Sequence, residues 1–167
     1  DFNHDGIADL LIGAHTAGNE NGAAYVFFGK AEPWGSLTTA EADLSLDGKR
    51  AFDRAGHGAD GVGDLNDDGI DDIVVGAIGI DHEGLSERGG TYLITGGASV
   101  EGRVDLDRAA SHAWLGMKKD ELSGHRITRA GDVDGDGNND FLVGAYSNGE
   151  AGNRAGAVYL VSGPFTD

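Results

Sequence analysis

The chain has 167 residues, 39% hydrophobic and 25% charged, with 30 glycines, two prolines and no cysteine. That is the composition of a folded domain of ordinary size rather than a disordered or collagenous chain, and it excludes disulfide scaffolds, thiolate metal sites and cysteine nucleophiles. Twenty-nine Asp and Glu against twelve Lys and Arg give a net charge of −17, so no nucleic-acid partner and no anionic membrane surface is expected; no apolar run approaches the about 18 residues of an inserted helix.

In chain order the first element is an acidic turn, DFNHDGIAD at 1–9, followed directly by an apolar run at 10–14. A polar loop at 15–21 leads to the Tyr-centred run GAAYVFFG at 22–29. Beyond Trp34, Thr38 and Glu41 carry a capping-box pattern, and 43–46 reads as a weak strand. A strand at 56–63 then enters a second acidic turn, DLNDDGIDD at 64–72, and a strand at 72–77 leaves it. A loop at 78–88, a Tyr-centred strand at 91–95, a turn or two of helix within 105–112 and a weak strand at 113–115 complete this cycle. The third acidic turn, DVDGDGNND at 132–140, is followed by an apolar run at 141–145, a loop at 146–155 and GAVYLVSG at 156–163.

The cycle is an internal repeat. The acidic turns lie 63 and 68 residues apart, the Tyr-centred runs 67 apart both times, and Gly48 and Gly56 recur as Gly116 and Gly124 at an offset of 68. The spacing between Gly13 and Gly22, Gly76 and Gly89, and Gly144 and Gly156 varies (9, 13 and 12 residues), as surface loops do. Four short strands in a tandem unit of about 65 residues predict an all-β propeller with four antiparallel strands per blade. About two and a half blades are expected: a partial blade at 1–48, a full one at 49–116 and a partial one at 117–167. A β-sandwich has no reason to repeat three times at this spacing, and a parallel β-helix has a far shorter period.

Each acidic turn follows D-x-[DN]-x-D-G-x-x-D. Carboxylate or amide oxygens stand at positions 1, 3, 5 and 9; glycine at position 6 permits a sharp turn with positive φ, which aims the carbonyl of position 7 inward. An anionic cage made only of oxygen suits Ca²⁺, and suits Mg²⁺ less because it demands a tighter octahedron and keeps its waters. Three calcium sites are therefore expected: Asp1, Asn3, Asp5, the Ile7 carbonyl and Asp9; Asp64, Asn66, Asp68, the Ile70 carbonyl and Asp72; and Asp132, Asp134, Asp136, the Asn138 carbonyl and Asp140. These are not EF-hands, since position 12 is Ile12, Val75 or Val143 within a strand, where an EF-hand needs a bidentate Glu.

Outside the turns, His57 and His125 recur at an offset of 68, which argues for a structural role. His15 and Tyr146 share one loop position where a ligand contact is possible, and His4 is expected to face solvent. Trp34 and Trp114 are expected to pack between blades. Arg50, Arg54, Arg88, Arg103, Arg108, Arg126, Arg129 and Arg154 are scattered, as salt-bridging residues are. No nucleophile elbow, zinc-protease motif, phosphate loop or dinucleotide fingerprint occurs, so no catalysis is expected.

The acidic turn, the following LLIGA, IVVGA or FLVGA, and the later G-x-x-Y strand together resemble FG-GAP repeats, which build the β-propeller of integrin α subunits and of related bacterial extracellular proteins. The family's Phe-Gly stands as Ala55-Gly56 and Ser123-Gly124 here, and its Gly-Ala-Pro as Gly13-Ala14-His15, Gly76-Ala77-Ile78 and Gly144-Ala145-Tyr146. The resemblance implies calcium in the hairpin between the first two strands of each blade, usually seven blades, and ligand binding on the face opposite the calcium loops. It implies an extracellular or cell-surface adhesion or recognition protein with a protein or carbohydrate ligand; the alternative is a non-catalytic propeller module of a secreted lipase or polysaccharide-degrading enzyme. The strand count, three then four then three, leads to the expectation that further blades come from the same parent chain or from other copies.

Overall fold

The computed structural model describes residues 1–97 and 100–165. Among these are eleven strands: β1 (Leu10–Ala14), β2 (Ala23–Phe27), β3 (Leu44–Asp47), β4 (Ala55–Gly63), β5 (Asp72–Ala77), β6 (Gly90–Ile94), β7 (Gly102–Asp105), β8 (His112–Leu115), β9 (Ser123–Gly131), β10 (Asp140–Ala145) and β11 (Ala157–Ser162). They form three sheets, ordered β1-β2-β3-β7, β4-β5-β6-β8 and β9-β10-β11. These are propeller blades stacked side by side. The second and third acidic turns join β4 to β5 and β9 to β10, and the first leads directly into β1.

The period of the apolar residues follows from the stacking. Every residue of β5 and β6 is buried, because their sheet is covered by a neighbour on each face. Of the strands in the outer sheets, β2 is buried on both faces, whereas β3 and β11 alternate between more and less buried positions. Ala24, Val26, Leu44 and Leu46 of the first sheet meet Ile73, Val75, Tyr92 and Ile94 of the second in one core. Val62, Val74 and Leu93 on the second sheet's other face meet Ile127, Phe141 and Val143 of the third. Trp114, within β8, packs edge-on against Phe141 and Phe165 in this second seam, with ring centroids 5.4 and 5.1 Å away. Trp34 instead lies against Phe27 on the open side of the first sheet, under Lys30.

One pairing departs from the expected antiparallel blade. β7, in the connection between β6 and β8, pairs in parallel with β3 and extends the first sheet with residues from the second repeat. Arg103 fixes it there: its Nη2 donates to Asp47 Oδ1 at 3.0 Å and its Nε lies 2.6 Å from Asp47 Oδ2. A single helical turn at Leu106–Ala109 then carries the chain back to β8, burying Leu106 in the first seam, and Lys49 pairs with Asp107 at 2.8 Å. The capping pattern at Thr38 opens one 3₁₀ turn, Thr39–Glu41, in which Glu41 Oε2 accepts both the Thr38 amide and its hydroxyl at 2.8 Å.

The recurring glycines sit where neighbouring backbones meet. A methyl group on Gly13 would stand 2.1 Å from the Gly56 carbonyl oxygen, and one on Gly76 would stand 2.1 Å from that of Gly124. Gly22 and Ala55, and Gly89 and Ser123, form single parallel bridges across the same two seams. The outward faces lack such a neighbour. Leu10 is 42% exposed where its equivalents Ile73 and Phe141 are 5% and 0%, and Leu160 is 46% exposed where Val26 is 1% and Leu93 is 0%.

The seams therefore predict unequal tolerance to one added methyl. Gly76→Ala meets rigid backbone and should cost at least about 1–3 kcal/mol, whereas Gly61→Ala, with nothing within 4 Å of its would-be Cβ, should stay within about 0.5 kcal/mol of the parent. Denaturant unfolding of the two variants measures both; equal losses would contradict the close-approach account.

Candidate metal centres

The three acidic turns adopt one geometry. Position 6 has positive φ in each, at 87°, 85° and 95° for Gly6, Gly69 and Gly137. Position 4 is left-handed as well, at 62°, 63° and 82° for His4, Asp67 and Gly135, a requirement that only the third turn's glycine announces in the sequence. The position-1 carboxylate gathers backbone N–H groups across the turn. Asp1 accepts from Asp5 at 2.9 Å and Gly6 at 2.8 Å, Asp64 from Asp67 at 2.7 Å and Gly69 at 2.8 Å, and Asp132 from Gly135 at 2.6 Å and Gly137 at 3.0 Å. One oxygen of position 5 accepts the amide of position 7 at 2.8 Å in every turn.

Positions 1, 3 and 5 are thus drawn together, and their donor sets differ in one respect. In the first two turns the amides of Asn3 and Asn66 donate to Asp5 and Asp68 at 3.0 and 2.9 Å. In the third, position 3 is Asp134, and Asp132, Asp134 and Asp136 each bring a carboxylate oxygen to within 4.8 Å of one another, all three residues exposed. Three like charges at that spacing repel unless a cation lies among them.

Position 9 does a different job. Asp9, Asp72 and Asp140 each accept the amide of position 2 on one oxygen, from Phe2 at 2.7 Å, Leu65 at 2.8 Å and Val133 at 2.7 Å. The other oxygen accepts the amide of the glycine that ends the Tyr-centred run: Gly29 at 2.7 Å, Gly96 at 2.9 Å and Gly163 at 3.3 Å. Asp72 and Asp140 are fully buried. Burial pushes the Asp72 carboxyl up to about 6, its two backbone donors oppose that, and the charges of Asp68 and Asp64 raise it further.

Two partners of the turns carry no signal as ligands. Position 2 plugs the seams, with Phe2 in the first core and Leu65 in the second, while Val133 is 55% exposed on the open face of the third sheet. The carbonyls of Phe2 and Leu65 accept the amides of Gly97 at 2.7 Å and Phe165 at 2.8 Å, from the chain that follows the next sheet's Tyr-centred strand. Only the apolar character of position 2 in each copy pointed to this. His15, His57 and His125 lie apart from the turns: His15 and Tyr146 stand at the two ends of a row of rings that contains His57 and His125.

The FG-GAP repeat family model matches residues 1–27 and 126–161. The chain is 32% identical over 161 residues to integrin alpha-8 of Gallus gallus and 30% identical over 156 residues to integrin alpha-5 of Xenopus laevis, alignments that take in 90% and 87% of this chain. It spans 14% of the length of each. It is also 29% identical over 150 residues, 86% of the chain, to phosphatidylinositol-glycan-specific phospholipase D of Mus musculus, of which it spans 17%.

The division of labour within a turn is testable without any metal. In excess EDTA, Asp72→Ala should lose about 2 kcal/mol or more, because two backbone donors are left without an acceptor. Asp68→Ala, at an exposed position, should lose under about 1 kcal/mol. Urea unfolding checks this, and equal losses would remove the distinction between position 9 and position 5.

Proposed function

The chain is built of FG-GAP repeats of the integrin α type, and from that premise we propose that it is a calcium-stabilised propeller segment of an extracellular adhesion or recognition protein, without catalysis of its own. The observation that carries this reading is the convergence of Asp132, Asp134 and Asp136 in a turn whose geometry recurs twice more. Hard oxygen donors, the left-handed glycine and a carbonyl at position 7 make a set that suits Ca²⁺ in each. The third cage is Asp132, Asp134, Asp136, the Asn138 carbonyl and Asp140. The first two replace one carboxylate with the amide oxygen of Asn3 or Asn66. Apart from Asp9 Oδ2, which also accepts the Asn3 amide at 3.2 Å, each position-9 oxygen takes one N–H and keeps a second lone pair for the ion.

Calcium stabilises the fold through the seams. An ion that fixes positions 1, 3 and 5 also fixes position 2, which fills the core between blades. The ligand is a protein or a carbohydrate. The two outward faces, with Leu10 and Ile12 on one and Val133, Val158 and Leu160 on the other, continue the two seams already formed, so we assign them to further blades, from the same parent chain or another copy. Among the described residues no helix is long and apolar enough to cross a membrane. The likeness to the phospholipase supports a second reading, a propeller module attached to a secreted enzyme; there too the chain itself performs no chemistry.

Melting in millimolar calcium and in excess EDTA tests the proposal, with site affinities around 10⁻⁴ to 10⁻³ M expected for an extracellular module. Calcium should raise the melting temperature by mass action, and Asp136→Ala should remove one bound ion while leaving the others, read by calorimetric titration. Identical melting curves in calcium and EDTA would overturn it.

A further inference from the structure

We propose that the imidazoles of His15, His57 and His125 form a proton-sensitive latch across the blade seams, holding neighbouring sheets together when neutral and loosening them when charged. The three come from three different sheets. His15 directly follows β1, His57 lies on β4 and His125 on β9, and the ring centroids are 4.7 Å apart for the first pair and 4.5 Å for the second. Tyr146, directly after β10, extends the row past His125 at 4.7 Å. β4 and β9 are edge strands that run close together across the second seam: a methyl group on Gly58 would stand 2.7 Å from the Gly124 carbonyl oxygen and 3.3 Å from the Ile127 amide nitrogen.

The rings follow one another in a row, tilted by 52°, 42° and 36° from pair to pair; they do not converge on a point. Among the described residues the one group of three metal-ligating side chains drawn together is that of the third acidic turn, so the row is not a tripod for a transition metal. His57 Nδ1 lies 3.2 Å from the His125 backbone carbonyl, which makes Nδ1–H the donor and leaves Nε2 as the atom that takes a second proton. Neutral rings at this spacing attract; neighbouring imidazolium ions repel.

The surroundings offer an added proton no counter-charge. From β9, Arg126 adds a positive charge felt by both His57 and His125. At the far end Arg154 covers the Tyr146 ring and donates to its hydroxyl at 3.2 Å. Among the described residues no carboxylate hydrogen-bonds to or pairs with any of the three histidines. Burial holds His57 and His125 below the usual histidine range, and Arg126 lowers both further. A histidine whose folded pKa is lowered contributes stability that is complete above the unfolded value of about 6.5 and declines as pH falls below it, because the unfolded chain takes the protons first.

The test is a pH titration of the 167-residue chain in excess EDTA, which keeps cation binding out of the readout; the titration of Asp72 is common to the parent and the histidine variants, so the latch is read from the differences between them. NMR of the imidazole Cε1 protons should place the midpoints of His57 and His125 below about 6.5. His15→Gln, at an exposed position, should raise the His57 midpoint by removing a neighbouring charge. The melting temperature should drop from pH 7 to pH 5 in the parent, less in His15→Gln and less again in His125→Gln; if His125→Gln fails to fold, His15→Gln alone decides. Independent titration of His57 and His125 near 6.5, or the same drop in parent and variants, would overturn the latch.

Discussion

The position-9 carboxylate is the interaction on which this fold depends. In each repeat it takes the first amide of the acidic turn on one oxygen and the last glycine of the Tyr-centred run on the other. Those two amides belong to segments about thirty residues apart in sequence. One side chain, fully buried in Asp72 and Asp140 and half-buried in Asp9, therefore closes the turn, sets where the apolar strand begins and holds that strand's neighbour in register. An unpaired backbone N–H in such a place costs about 1–3 kcal/mol, so the carboxylate stays despite the burial that disfavours its charge.

From that staple the order spreads sideways. With position 9 fixed, position 2 is held over the next sheet, where Phe2 and Leu65 complete the cores between blades. The glycines bring the sheets close enough for this to work: Gly13 and Gly76 leave only the thickness of a backbone between neighbours. The turn at the rim and the packing at the seam are consequently one system, and a cation held in the turn would act on the seam as well. The same seams carry the histidine row, which gives the stack a second point where charge acts on blade contact.

Much of this was legible in the sequence, because a repeat shows each requirement more than once. The four-strand cycle, the acidic turns and the left-handed glycine at position 6 all follow from markers about 65 residues apart. β7 was not legible. Gly-Arg-Val-Asp has no alternation to speak of, and its partner β3 lies more than fifty residues earlier, in a parallel pairing that no hairpin pattern announces. Position 9 reads as a ligand from its chemistry, and its hydrogen bonds to two backbone amides emerge only when strands from one repeat are laid side by side. The ring row was half legible: the recurrence of His57 and His125 marked a structural role, but their alignment with His15 depends on how three sheets meet.

The central claim is that these turns are cation cages built onto a backbone staple, rather than acidic turns satisfied by their own amides. The most direct measurement is a crystal structure grown in millimolar calcium, with ions located by anomalous scattering. The account predicts one ion in each of the three turns, about 2.3–2.6 Å from the side-chain oxygens of positions 1, 3, 5 and 9 and the carbonyl of position 7. Turns that hold no ion at that concentration, their carboxylates still facing only their own backbone amides, would contradict it.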